Sequence, residues 1–466
     1  MKEPLVGVQL GAHSVFDEGA EHCLDLLRET AGANAVFVYT HSYHISRRKP
    51  PQALTADHGV PVPEQGEREL NRVWVEHHDE VFGGTFLRHP ETEGEYAGRD
   101  VLAELAEPAE ERGIALYGRI LEPWNETLSR TIPNWSKILT VDVYGRINRQ
   151  PCWNHPDYRN FWVSTVEDLF KTYPLRGLKF GSERVGPLSR LLYRGAVPVC
   201  FCEHCRARGR AKGIDVERAR RGFRELYELI HSDDQSAGGD GMLINVLRSF
   251  LKYPEMLAWE YEWYRAREEA YGLLYGTVKV IDPEAEFGLH IDHQQSTWDT
   301  VYRAEAEFDE MADYCDFLKP IVYHDIAGPR IRRWVLDRLQ GTVLGEISLE
   351  QSLELFYDVM GYDKEREPEL DELDTVGFSP DYVYRVIRRF VEASKGKVPI
   401  YAGIGIDVPW NGEHFPTSPE GVYQATLKAF EAGASGIVIS REYDEMRVPS
   451  LRAVKRAVEA FTANGE

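Results

Sequence analysis

Short apolar runs alternate along the chain with polar segments and with stretches whose apolar residues recur at helical spacing. The runs are Leu5–Leu10, Ala35–Thr40, Ile114–Ile120, Leu175–Gly181, Glu286–Ile291, Phe317–Val322, Val398–Ile404 and Gly436–Ser440. Each has the length of a strand buried on both faces. The stretches between them carry single apolar stripes, as in Ala20, Cys23, Leu24 and Leu27, in Val422, Ala425 and Ala429, and in Leu451, Val454, Val458 and Phe461. A buried strand followed by an amphipathic helix, eight times over, predicts one α/β domain across residues 1–466, a (β/α)₈ or TIM barrel. The rival, an open doubly wound sheet, announces itself by a glycine-rich phosphate turn after its first strand. Gly11-Ala12-His13-Ser14 is not such a turn.

Two stretches exceed what a simple connection needs. Residues 41–99, after the second run, are rich in proline, glycine and charge, and are expected to form an insertion at the active site. Residues 206–280, after the fourth run, read as a mainly helical insertion interrupted by the turn-forming segment Ser232–Gly241. These insertions also offer surfaces on which the chain would form a homo-oligomer.

Composition narrows the function. No apolar run reaches the roughly 20 residues that cross a bilayer, and the start, Met1-Lys2-Glu3-Pro4, lacks the pattern of an export leader. A soluble, cytoplasmic protein is expected. The formal charge of −22 argues against nucleic acid and anionic membranes as partners. No signature of an organic cofactor is present.

Three of the six cysteines fall in Cys200-Phe201-Cys202-Glu203-His204-Cys205. With Cys152 they make a four-thiol set of the kind that holds structural zinc, His204 being the alternative fourth ligand.

In a barrel, chemistry gathers where the strands run into their following loops. His13 follows the first run, and His41, Tyr43 and His44 the second. Arg119 and Glu122 end the third, and Ser182, Glu183 and Arg184 the fourth. His290, Asp292 and His293 stand at the fifth, Lys319, Tyr323 and His324 at the sixth, Asp407 and Trp410 at the seventh, and Arg441 and Glu442 at the eighth. Each alone is explained by helix capping or loop bonding; their recurrence on one face predicts a polar pocket. Leu178-Lys179-Phe180-Gly181 delivers Glu183 into that pocket, although an ion pair with Arg184 is the structural alternative. Trp124, Trp135, Trp153, Trp298, Trp410 and Tyr443 offer flat apolar faces in or beside the strand-end loops that could stack on a ligand ring, with core or loop packing the slightly favoured reading for each.

Around Cys152 to Cys205 the chain resembles the family 42 β-galactosidases, clan A glycoside hydrolases, which carry a similar lone cysteine followed by C-x-C-x-x-C close to the acid/base carboxylate. In segments such as Cys152-Trp153-Asn154-His155-Pro156-Asp157-Tyr158-Arg159 and Ser440-Arg441-Glu442-Tyr443, it is similar to glycoside-hydrolase-like barrels of bacteria. The resemblance implies a saccharide or glycoside substrate, with Glu183 as the acid/base residue and Asp407 at the strand-seven position of the nucleophile. Ser182 stands where clan A has Asn, and Asp407 where it has Glu, so Asp292 is a second choice for the partner carboxylate and Glu413 lies nearby. Two other readings stay open. His290, Asp292, His293, His324 and Glu183 could serve a metal-dependent sugar isomerase, epimerase or lyase; a noncatalytic carbohydrate-binding barrel is the third.

Overall fold

The computed structural model describes residues 3–42, 47–48, 57–60, 68–69, 72–122, 131–232, 240–410, 413–414 and 417–463. Tyr43, His44 and Trp124 lie outside them, and nothing is described of the Glu413 side chain. The eight barrel strands are β1 (Leu5–Leu10), β2 (Ala35–Ser42), β3 (Ala115–Leu121), β4 (Gly177–Gly181), β5 (Glu286–Ile291), β6 (Phe317–Pro320), β7 (Tyr401–Ala402) and β8 (Gly436–Ile439). They are parallel and lie side by side in the order β6-β5-β4-β3-β2-β1-β8-β7. Single pairs, Leu318 with Ile400 and Ile321 with Gly403, bring β7 back against β6. The result is a nearly closed TIM barrel surrounded by helices, as the alternation of runs and stripes predicts.

The sixth and seventh runs shorten from six and seven residues to a four-residue and a two-residue strand. Prolines are the reason: Pro320 and Pro399 lack the amide that would extend the ladder. Their carbonyls still accept bonds, from Gly403 N at 2.8 Å and from Leu318 N at 3.0 Å.

Alternation along the strands sorts the core into two regions. Leu178, Phe180, Leu289, Ile437 and Ile439 face outward into the apolar packing against the helices. Ala35, Phe37, Tyr117, Phe317 and Val438 face inward and form a plug near the amino ends of the strands. Phe37 stacks on Tyr117 at 4.5 Å between ring centres, and Phe317 meets both edge-on. Above this plug the inward positions turn polar.

The second long stretch carries helices Glu203–Ala211, Val216–Ile230, Met242–Lys252 and Glu255–Ile281. Asp215 caps the second of them by accepting from the amides of Glu217 and Arg218. Their own apolar cluster, including Phe201, Phe223, Leu226, Met256 and Trp259, lies beside the main core and encloses the four cysteines.

Gly288 gives the plug its room. A Cβ there would stand 2.0 Å from the Phe317 ring. Gly288→Ala should therefore destabilise the fold by about 1–3 kcal/mol, and the cost should shrink on a Phe317→Leu background. Urea denaturation of the two single variants and the double variant measures both effects.

Candidate active site

The polar level above the plug is built from successive inward positions. Tyr39, Arg119 and Lys179 are level across β2, β3 and β4, and His290 is level with Lys319 across β5 and β6. Arg119 lies over the Tyr39 ring at 3.6 Å and pairs with Glu442 at 3.3 Å. Lys179 donates to Gln9. Lys319 is fully buried, and its Nζ has no hydrogen-bond partner among the described residues. Both lysines are pushed to low pKa by burial and by neighbouring cations, Arg119 foremost. Lys179, Gln9 and Arg330 were not picked out from the sequence; an unexpected lysine in the middle of the apolar run Leu178–Gly181 was the available signal.

Glu183 opens into this space with its side chain about one third exposed, and one of its oxygens stands 3.8 Å from His290 Nε2. Gly181 clears the way, since a Cβ there would lie 2.7 Å from that of His290. The predicted alternative, an ion pair between Glu183 and Arg184, does not form. Arg184 turns the other way and binds Glu122 through two bonds, Nε to Oε2 at 2.8 Å and Nη2 to Oε1 at 2.5 Å. Glu122 accepts also from Ser182 Oγ at 2.6 Å and from the Tyr158 hydroxyl. Glu122, Ser182 and Arg184, expected from the sequence at the strand ends, are thus a buried framework bonded to one another.

Asp292 is brought close to Glu183. It caps the short helix His293–Thr297, accepting from Gln294 N at 2.5 Å, with Gln295 completing the reciprocal cap. Burial, and then the charge of Glu183, push its pKa up to about 7. His290 moves the opposite way, to about 3, because burial and the two lysines outweigh Glu183. Near neutral pH the site therefore contains a carboxyl in mid-titration and a neutral imidazole.

Asp407 goes elsewhere. Its backbone is left-handed at φ 49°, and its fully buried carboxylate is bound by Arg447, with Nη2 and Nε at 2.8 and 3.0 Å from Oδ1 and the backbone N at 3.0 Å from Oδ2. The carboxylate expected at the anomeric carbon is committed to holding the loop before the last helix.

The remaining strand-end residues divide. Tyr323 lies beneath Arg330, with 5.3 Å from the guanidinium to its ring centre. Arg441 is paired with Glu445 at 3.3 Å, and His13 faces Asp444 at 3.3 Å. His324 faces its neighbour Asp325 at 3.1 Å. Both nitrogens of His293 are engaged, Nε2 with the Tyr382 hydroxyl at 2.8 Å and Nδ1 with Arg330 at 2.9 Å. His290, Asp292, His293, His324 and Glu183 thus do not assemble a metal-ligand set among the described residues. His41 points out of the barrel, toward His77, at 2.7 Å between their Nε2 atoms. Of the aromatics, Trp135, Trp153, Trp298 and Tyr443 are core residues, and only Trp410 is half-buried, against Trp334.

Cys152, Cys200, Cys202 and Cys205 converge behind β4 in one buried cluster able to hold a metal ion. Cys152 Sγ lies 3.5 Å from that of Cys202 and 3.4 Å from that of Cys205. Val141 N and Cys202 N donate to Cys200 Sγ at 3.4 Å, and Asn154 Nδ2 donates to Cys205 Sγ at 3.3 Å. His204 is outside the set, partly exposed beside Glu203.

No known family pattern matches this chain, and no curated protein sequence is similar to it. Solved structures of like fold include glycoside hydrolases. A β-galactosidase from Marinomonas ef1 aligns at 11% identity and a TM-score of 0.52, over 99% of this chain and 60% of the other. A β-galactosidase from Halorubrum lacusprofundi gives 14% and 0.52, over 98% and 58%. An α-L-fucosidase from Paenibacillus thiaminolyticus gives 12% and 0.50, over 100% and 50%. The chain thus spans half to three fifths of these proteins, and the likeness is one of fold.

The framework makes a stability prediction. Arg184→Met leaves the Glu122 carboxylate buried and unpaired, and should cost about 3–5 kcal/mol. Combining it with Glu122→Gln should recover a large part of that loss. Chemical denaturation of both variants provides the comparison.

Proposed function

We propose that the protein is a glycoside hydrolase of the barrel-mouth type, in which Glu183 and Asp292 form the carboxylate pair. The observation that carries this reading is the pair itself, at the ends of adjacent strands, with Asp292 raised to about 7 beside Glu183. A carboxyl that holds its proton to near neutral pH beside a second carboxyl suits acid-assisted cleavage of a glycosidic bond. Glu183, the exposed member, meets the glycosidic oxygen; Asp292, the deeper one, keeps a proton within reach at neutral pH. His290 is neutral and next to Glu183, which suits it to bond a sugar hydroxyl. The neighbouring folds named as β-galactosidases and an α-L-fucosidase agree with this class, and the cysteine pattern favours the family 42 side of it.

The basic groups of the mouth favour a particular substrate. Lys179, Lys319 and Arg330 are buried and have no carboxylate partner among the described residues, in a chain of formal charge −22. A saccharide with an acidic substituent supplies the missing negative charge. We assign zinc to the four cysteines, where an all-thiolate tetrahedron leaves no open position and the ion has a structural role.

Glu183→Gln should abolish turnover of a cleaved glycoside while saccharide binding persists, and activity should survive mild chelation. Unchanged turnover in Glu183→Gln would overturn the assignment. Cys200→Ser should lower bound zinc by one equivalent in metal analysis of the purified chain.

Asp292→Asn tests the raised pKa through stability. The wild-type carboxyl binds its proton more tightly when folded, so it favours the fold at acid pH and this contribution is lost as pH rises through about 7. Asn keeps the helix cap without ionising. The Tm of Asp292→Asn relative to wild type should therefore rise as the pH is taken from 5 to 9. A difference independent of pH would contradict the raised pKa.

A further inference from the structure

Outside the barrel mouth, His41, His77 and His89 meet between the end of β2 and the helix Pro156–Thr172. Each offers a ring nitrogen within 4.8 Å of the other two. The rings are 4.9 Å apart for His41 and His77, 4.5 Å for His41 and His89, and 4.2 Å for His77 and His89. Trp162, Phe82 and Phe161 line the surroundings with apolar surface.

Oxygen atoms around the cluster set the tautomers. Asp168 accepts from His77 Nδ1 at 2.7 Å, so the lone pair of His77 lies on Nε2, the atom that faces His41. Asp168 is itself fixed by the backbone N and the Nδ1 of His78, at 2.9 and 2.8 Å. Thr165 gives its hydroxyl proton to the Phe161 carbonyl at 2.7 Å, so its oxygen accepts from His89 Nε2 at 2.8 Å and the His89 lone pair lies on Nδ1. His41 Nδ1 is 2.9 Å from the Thr40 hydroxyl, which in turn reaches the Arg119 carbonyl. An imidazole whose lone pair is turned inward by an oxygen partner behind the ring, as in His77 and His89, is the form that binds a metal.

We propose that His41, His77 and His89 form a second metal site, for a divalent ion of the zinc class, with Asp168 as the carboxylate that orients His77. Nitrogens bound to one such ion at about 2.1 Å stand roughly 3.0–3.4 Å apart. The 2.7 Å between His41 and His77 needs to open by only a few tenths of an ångström to admit it. The carboxylate behind the ring is the usual outer partner of a metal-bound histidine. The ion would fasten the segment holding His77 and His89 to the end of β2, and three protein ligands would leave a coordination position open. This site stands apart from the carboxylate pair and does not depend on the glycosidase reading.

Metal analysis of the full chain after equilibration with cobalt or zinc tests it. His77→Ala/His89→Ala should bind one ion fewer than wild type, with the fold confirmed by circular dichroism and by any cobalt–thiolate absorption from the cysteine cluster. Cys200→Ser should leave the histidine-bound ion in place. Asp168→Asn should keep the site but weaken it about 10- to 100-fold. Equal ion counts in the wild-type and doubly substituted folded chains would overturn the proposal, leaving a plain hydrogen bond between His41 and His77.

Discussion

The buried pair of Arg184 and Glu122 decides where Glu183 points. Neighbouring side chains on extended backbone face opposite ways, so fixing Arg184 in the wall sends Glu183 toward the mouth. The pair joins the ends of β3 and β4, takes in Tyr158 and Ser182, and reaches the Pro151 carbonyl next to Cys152. Its backbone is fixed as well, since the Arg184 carbonyl accepts from Arg267 at 3.2 Å and from Gln295 at 3.3 Å. Gln295 belongs to the helix that Asp292 caps, so one framework positions both carboxyls.

Within that framework the charges of the mouth bias one another. Glu183 raises Asp292, the lysines and burial keep His290 neutral, and Arg119 with burial lowers both lysines. Such mutual tuning depends on exclusion of water, which the plug of Phe37, Tyr117, Phe317 and Val438 provides from below. An acidic substrate entering this space would restore charge to lysines that burial discourages from carrying it.

Much of the fold was legible because a parallel barrel writes each strand as an apolar run and each helix as a stripe. Strand ends were less so, because a proline at 320 or 399 shortens a ladder without changing the hydrophobic pattern. The site was half legible. Glu183 and Asp292 could be named from their strand ends, but nothing local shows that Asp407 has a partner 40 residues later in Arg447. His41 turns away from the mouth for a geometric reason: pairing of β2 with β3 shifts register between Tyr39 and His41, so the alternation of the strand does not carry through to it. His77 and His89 sit in a stretch without periodicity, and only the folded chain brings them to His41.

The raised proton affinity of Asp292 beside Glu183 is the most direct point of decision. Titration of the Asp292 carboxyl by carbon-13 NMR, in wild type and in Glu183→Gln, measures it. The pair predicts a wild-type midpoint near 7 that falls when Glu183 loses its charge. A midpoint near the ordinary carboxyl value of about 4 in both chains would contradict it.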